Sequence, residues 1–147
     1  MEEQDKVFLA EALAEARKGL ESGGIPIGSV LVRDGKIIGR GHNRRVQDGD
    51  PIAHGEMSAI RDAGRQASYK DTTIYTTLSP CMMCSGTIVQ FGISRVVIGE
   101  STTFPGNEKF LRARGVAVRV YDDPDCIRLM EDFIRDNPTL WNEDIGE

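Results

Sequence analysis

Two short segments carry residue types that can do chemistry: His54-Gly55-Glu56 and Pro80-Cys81-Met82-Met83-Cys84. The two cysteines stand at i and i+3, so on a helix they share one face. Both segments open stretches whose pattern predicts a helix. In a first helical turn, the dipole and the free backbone N–H groups favour thiolates. Two thiolates and one neutral imidazole make a good zinc set, and three protein ligands leave a fourth tetrahedral position for water. The expectation is one Zn2+ per chain on His54, Cys81 and Cys84. Glu56 lies two residues past His54, and helix positions two apart do not face the same way. It reads as a general acid/base within reach of the metal's water rather than as a ligand.

Taken alone, the Cys-x-x-Cys also suits a redox pair or a structural zinc knuckle. A structural zinc needs a fourth ligand, for which only His42 and Cys126 remain as soft candidates. Joined in this order, with proline just before the first cysteine, the segments match the H-x-E…P-C-x-x-C signature of zinc deaminases.

The elements that must position these residues follow from pattern. Residues 3–22 are rich in good helix formers, with Phe8, Ala12, Leu13, Ala16 and Leu20 on one stripe and Gly23-Gly24 as a stop. Ile27 to Val32 and Lys36 to Arg40 read as strands of a hairpin turning at Asp34-Gly35. Residues 42–53 read as a loop, and His54 to about Gly64 as a helix. Thr72 to Leu78 is a strand. Ser79-Pro80 then starts a helix that stops at Gly92. Arg95 to Gly99 and Val116 to Tyr121 are further strands, with a short helix near 108–113 between them. Asp123 to Asp136 is the last long helix, and 138–147 shows no period. An antiparallel hairpin followed by alternating strands and helices implies an α/β fold, a mixed sheet with helices on both faces.

At 147 residues the chain is about the size of one domain, and 1–147 is read as a single domain. No apolar run approaches the roughly 18 residues of a membrane span. No basic region followed by an apolar stretch opens the chain, so a cytoplasmic location and no membrane partner are expected. The net charge of −5 argues against nucleic acid as the main partner, because phosphates are met with Lys and Arg. Three cysteines, an odd number, favour metal or catalytic use over disulfides.

The segments Ile25-Pro26-Ile27-Gly28, Gly41-His42-Asn43, His54-Gly55-Glu56, Leu78-Ser79-Pro80-Cys81 and Asp144-Ile145-Gly146-Glu147 carry a closer likeness. Over nearly its whole length the chain resembles the yeast-type cytosine deaminases, within the zinc-dependent cytidine/deoxycytidylate deaminase superfamily. The ending Asp-Ile-Gly-Glu, and Gly55 where many relatives have alanine, point to this branch. The resemblance implies a three-layer αβα sandwich around a five-stranded mixed sheet, of the cytidine deaminase-like type, and a homodimer. It implies hydrolytic deamination of free cytosine to uracil and ammonia, a reaction of pyrimidine salvage and nucleobase metabolism. Zinc-bound hydroxide would attack C4, with Glu56 as proton shuttle. Asn43 would bond the ring's carbonyl edge, helped by the Gly55 N–H and the Ile27 carbonyl. Phe104 and Trp141 would cover the ring. Asp144 would accept from the departing amino group, which the Ser79 carbonyl would also hold. One departure stands out: Asn142 replaces an expected aromatic residue in the tail that closes the pocket.

Without the resemblance, Asn43 reads as a turn residue, Phe104 and Trp141 as core aromatics, and Asp144 as a solvated charge. Cys126 reads as a buried inert thiol and Arg44-Arg45 as a solvated pair; His42 is structural or exposed. Rival functions are deamination of another small amino-heterocycle (guanine, isocytosine or creatinine), a tRNA adenosine deaminase, and a non-enzymatic structural-zinc module.

Overall fold

The structure is a computed structural model that describes residues 2–147. Helix α1 (Glu3–Glu21) leads into the hairpin of β1 (Gly28–Arg33) and β2 (Lys36–His42). A single turn, α2 (Arg45–Asp48), and α3 (Gly55–Ala63) precede β3 (Thr72–Leu78) and α4 (Met82–Phe91). Then come β4 (Arg95–Glu100), α5 (Glu108–Ala113), β5 (Ala117–Val120), α6 (Pro124–Asp136) and α7 (Pro138–Asp144). The strands form one sheet in the order β2-β1-β3-β4-β5. β1 is antiparallel to β2 and β3, whereas β3, β4 and β5 run parallel. This is the expected three-layer αβα sandwich with a mixed five-stranded sheet.

Alternation along the strands assigns the two faces. Val30, Val32, Tyr75 and Val97 pack under Phe8 and Ala12 of α1. Their neighbours Leu31, Ile74, Val96 and Ile98 point the other way, onto Ile60 of α3, Ile88 of α4 and Leu111 of α5. A third cluster, with Ile25, Ile27, Leu78, Met130, Phe133 and Trp141, lies beyond the end of β3 and joins α6 to α7. Among the described residues, no helix is long and apolar enough to cross a membrane.

The hairpin turns where expected, with Asp34 and Gly35 at φ of 51° and 73°, the pair of positive angles that a two-residue turn requires. Three expectations need correction. The stretch 42–53 contains the turn α2, too short to show a period, and 138–147 contains α7. The signal for α7 was Pro138 in its first turn, a favoured place for proline. β1 begins at Gly28, not Ile27. The Ile27 N–H donates to the Ile25 carbonyl (2.8 Å) and its own carbonyl accepts from the Asn43 N–H (2.9 Å), which takes Ile27 out of the ladder. Gly28 is needed at that point, because a Cβ would stand 2.2 Å from the Ala12 carbonyl oxygen of α1.

A buried charge ties α1 to the sheet. Asp5, 1% exposed, accepts two bonds from Arg95 (2.8 and 2.7 Å) and one each from the Tyr75 (2.8 Å) and Tyr121 (2.6 Å) hydroxyls. The Arg95 hydrogen bonds outweigh burial and hold the Asp5 carboxyl at about 2, below its ordinary 3.8. A depressed carboxylate stabilises the fold above its unfolded pKa and loses that effect as pH falls through the folded value. The contribution is about 2 kcal/mol at neutral pH. Asp5→Asn is expected to lower the melting temperature at pH 7 by roughly 4–8 °C, with the gap closing between about pH 4 and pH 2. Equal melting temperatures at pH 7 would show that this network adds nothing.

Candidate active site

Three helical or strand ends converge beyond the sheet. His54 is the N-cap of α3, and Cys81 is the N-cap of α4, with Cys84 one turn further. Cys81 thus stands at the helix mouth rather than inside the first turn. The start of α3 lies close to the backbone just before β1: a Cβ on Gly55 would meet the Ile27 carbonyl oxygen at 2.9 Å. His54 Nδ1 lies 3.5 Å from Cys81 Sγ and 3.7 Å from Cys84 Sγ. Tetrahedral zinc with ordinary Zn–S and Zn–N lengths separates its sulfur and nitrogen ligands by about 3.6 Å. The three side chains therefore fit the metal as they stand, and they are a candidate metal group of the described residues. The opposite ring nitrogen, Nε2, lies 3.5 Å from an Asp144 carboxylate oxygen. A carboxylate on that side favours the Nε2–H tautomer and leaves Nδ1 free to ligate.

The electrostatics suit a cation. Cys81 is pulled down to about 4 by hydrogen bonds from Cys84 and His54, against burial. Burial alone would lower His54, but its bond to Cys81 and the charges of Asp144 and Glu56 lift it to about 9. Cys84 is driven well above its usual value, by its bond to Cys81 and by burial. Glu56, 4% exposed, is raised to about 7 by burial, with His54 opposing and Cys81 adding. A carboxyl near neutrality is suited to both taking and giving a proton.

These groups open onto a small pocket lined by Ile27, His54, Glu56, Ser79, Cys81, Phe104, Trp141 and Asp144, with Leu78 and Ile145. Phe104 and Trp141 meet edge to face, with ring centroids 6.0 Å apart. Asn43 and Gly55 are fully buried at the edge of the cavity rather than in its lining. Asn43 is already engaged: its Nδ2 donates to Asp144 (3.2 Å) and its Oδ1 accepts from the Arg45 N–H (2.9 Å). One amide proton of Nδ2 is left for a ligand.

Some sequence readings change. Arg44 is solvated as expected, in an exposed pair with Asp48, but Arg45 is not: it reaches Glu143 of α7 (3.2 Å) and the Pro51 carbonyl (3.3 Å), tying the tail to the Asn43 loop. His42 Nδ1 lies 3.1 Å from the Asn43 carbonyl oxygen. Asp144 is not a solvated charge; its side chain is 4% exposed. Cys126 is buried, and its thiol is raised above the usual range by burial, as suits an inert core residue. Asn142, which stands where an aromatic residue was expected, is exposed and outside the cavity lining. Sequence reasoning missed Leu78 and Ile145. The latter sits inside the Asp-Ile-Gly-Glu ending, and its place next to Asp144 was the available signal.

A search for kin agrees with this site. The model of the cytidine and deoxycytidylate deaminase zinc-binding region matches residues 2–100, the stretch that holds His54, Cys81 and Cys84. A cytosine deaminase of Candida albicans is 53% identical over 146 residues, covering 97% of each chain. A tRNA-specific adenosine deaminase of Streptococcus pyogenes is 38% identical over 150 residues, covering 90% of this chain and 91% of its own. A solved tRNA:A34 deaminase superimposes with a TM-score of 0.72 at 31% identity, over 84% of this chain and 99% of that one.

The fold and the ligand cluster define a zinc-dependent hydrolytic deaminase. The chain belongs to the cytidine and deoxycytidylate deaminase family.

Elemental analysis is expected to give one zinc per chain for the parent, for Cys126→Ser and for His42→Ala. His54→Ala and Cys81→Ala should lose it. Metal loss in either of the first two variants would mean a fourth protein ligand and a structural site.

Proposed function

We propose that the chain deaminates the free base cytosine, giving uracil and ammonia. The observation that carries this is a small pocket in which the ligand cluster, the Glu56 carboxyl and the tail residues Trp141, Asp144 and Ile145 face one another. The 53%-identical relative, named a cytosine deaminase, supports the choice of base. Because tail and ligand helices line one pocket, residues 1–147 are read as a single deaminase domain. Zinc held by His54, Cys81 and Cys84 supplies the positive charge that brings the pKa of water down toward neutrality. Glu56 takes the proton of the attacking water and hands it to ring N3. The water oxygen adds to C4. Glu56 then takes the second proton from the oxygen now on C4 and passes it to the amine, the C4–N bond breaks, and ammonia departs. Asp144 and the Ser79 carbonyl accept from that amino group. Asn43 donates its free amide proton to the ring carbonyl, with the Gly55 N–H beside it; Ile27 supplies a carbonyl at the ring's edge. Phe104 and Trp141 enclose the ring and exclude water.

A free base suits this small pocket better than a nucleoside or a tRNA loop, because the tail residues Trp141, Asp144 and Ile145 close in on it. Ammonia release should be seen with cytosine and be slight with cytidine, guanine, isocytosine and creatinine. Glu56→Gln should keep its zinc and lose roughly 10²–10⁴-fold in rate. Asp144→Asn should weaken turnover strongly, because its amide can point a donor at the substrate amine. Removal of residues 141–147 should abolish turnover with zinc retained. Comparable kcat/KM for cytosine and cytidine, or full activity in the shortened chain, would end the capped-pocket reading. Near-normal turnover by Glu56→Gln would end the shuttle role.

The chain is also read as a cytoplasmic homodimer. Helix α4 contains no charged residue, and Met82, Met83, Gly86, Val89 and Gln90 share its outward face. Such a face suits a second copy of the chain better than water. Sedimentation at twice the monomer mass is expected, and introducing a charge with Gly86→Glu should return it to the monomer mass. A parent that sediments as a monomer would refute the pairing.

A further inference from the structure

The loop between β4 and α5, residues 101–107, carries Phe104 to the pocket, and three contacts clamp it to the residues just before Cys81. The Ser79 hydroxyl donates to the Glu108 carboxylate at 2.6 Å. Asn107 Nδ2 donates to the Pro80 carbonyl at 3.2 Å. At Gly106 the loop backbone lies so close that a Cβ would stand 2.2 Å from Ser79 Oγ and 2.7 Å from the Pro80 carbonyl oxygen. The loop's other end is held by the buried Glu100, whose carboxylate accepts from the Thr103 N–H (2.9 Å) and hydroxyl (2.5 Å). Ser79 itself is 3% exposed, with its N–H donating to the Glu100 carbonyl (2.9 Å). Its hydroxyl and N–H are thus both committed away from the pocket. Among the described residues nothing donates to its carbonyl, which is the one polar group Ser79 has left to offer a ligand.

The geometry points to Glu108 as a positioning residue for deamination: through the Ser79 hydroxyl it fixes the Ser79 carbonyl toward the substrate amine and holds Phe104 against Trp141. This rests on the reading that the Ser79 carbonyl receives the leaving amino group. Glu108 touches no substrate atom. A hydrogen bond to a charged acceptor is shorter and stronger than a neutral one, which suits a latch that must hold one orientation. As the amine is protonated on its way out it gains positive charge, and a carbonyl aimed at it binds it more tightly in the transition state than in the ground state. Loss of aim therefore falls on the chemical step rather than on KM.

The test uses the zinc-loaded full chain and the variants Glu108→Ala, Ser79→Ala, the double variant, and Glu108→Gln, which keeps an acceptor at the same reach. Single-turnover deamination of cytosine should slow about tenfold in each alanine variant with KM nearly unchanged. The double variant should be no slower than either single one, because both break one interaction. Glu108→Gln should recover to within about twofold of the parent. Trp141 is the only tryptophan of the chain, so its fluorescence reports Phe104 directly. Acrylamide quenching should rise about twofold in the alanine variants as the loop loosens. A normal single-turnover rate in Glu108→Ala, losses that multiply in the double variant, or unchanged quenching would overturn the assignment. So would zinc loss in Glu108→Ala, which would make the contact a support of the ligand helix. If the parent fails to deaminate cytosine, the substrate reading falls, and the quenching arm alone decides the latch.

Discussion

The constraint on which the structure turns is buried negative charge. Cys81, Cys84, Glu56 and Asp144 converge beside a single imidazole, and no lysine or arginine lines their cavity. Taking such groups out of water is costly unless something positive answers them. The conflict is visible in how they titrate: Cys84 and Glu56 are pushed toward their neutral forms while Cys81 and His54 are driven into a thiolate–imidazolium pair. A divalent cation in contact with both sulfurs and Nδ1 resolves this demand more completely than one proton on His54. The zinc-dependence of the family is thus written into the charge count of the pocket as much as into the ligand types.

The rest of the fold delivers these groups to one point. Side chains from helices after β2 and β3 meet only if both helix starts sit at the same end of the sheet, where right-handed connections from parallel strands leave them. Positive helix ends then face the thiolates, and small residues permit the approach. Gly55 lets α3 touch the Ile27 carbonyl, and Gly106 lets the β4–α5 loop lie on Ser79. Replacing either would move a ligand helix or the aromatic wall by the width of a methyl group. At the far end of the sheet, Asp5 with Arg95, Tyr75 and Tyr121 fixes α1 and keeps the strands in place without entering the chemistry.

Much of this was legible in the sequence because the signals are local. Period-2 and period-3.6 patterns located the five strands and the longer helices, and the Asp34-Gly35 turn fell where its residue types required. The pairing of Cys81 with Cys84 followed from spacing within a helix turn, whereas joining them to His54 rested on the deaminase signature. The short helices α2 and α7 were not legible, since four and seven residues do not establish a period. The tail's role was legible only through resemblance: nothing local in Trp141-Asn142-Glu143-Asp144 says that one carboxylate is exposed and the next is buried against His54. Likewise, nothing in the sequence singles out Glu100 or Glu108. The bond between Glu108 and Ser79 forms only when β4 lies beside β3, a contact across the chain that no periodicity encodes.

The tail joins two functions that could have been separate. Asp144 contacts the ring nitrogen of His54 that faces away from the sulfurs, and the same oxygen accepts from Asn43. Arg45 holds the neighbouring Glu143, and Ile145 with Trp141 roofs the pocket. On the proposed reading, the segment that limits the size of a ligand therefore also sets the tautomer of a metal ligand. Displacing the tail to admit a larger substrate would remove the carboxylate behind His54, loosen Asn43 and let water into the site. On the proposed reading, selectivity for a free base does not rest on pocket volume alone. A nucleoside is disfavoured because making room for its sugar disturbs the histidine on which the chemistry depends.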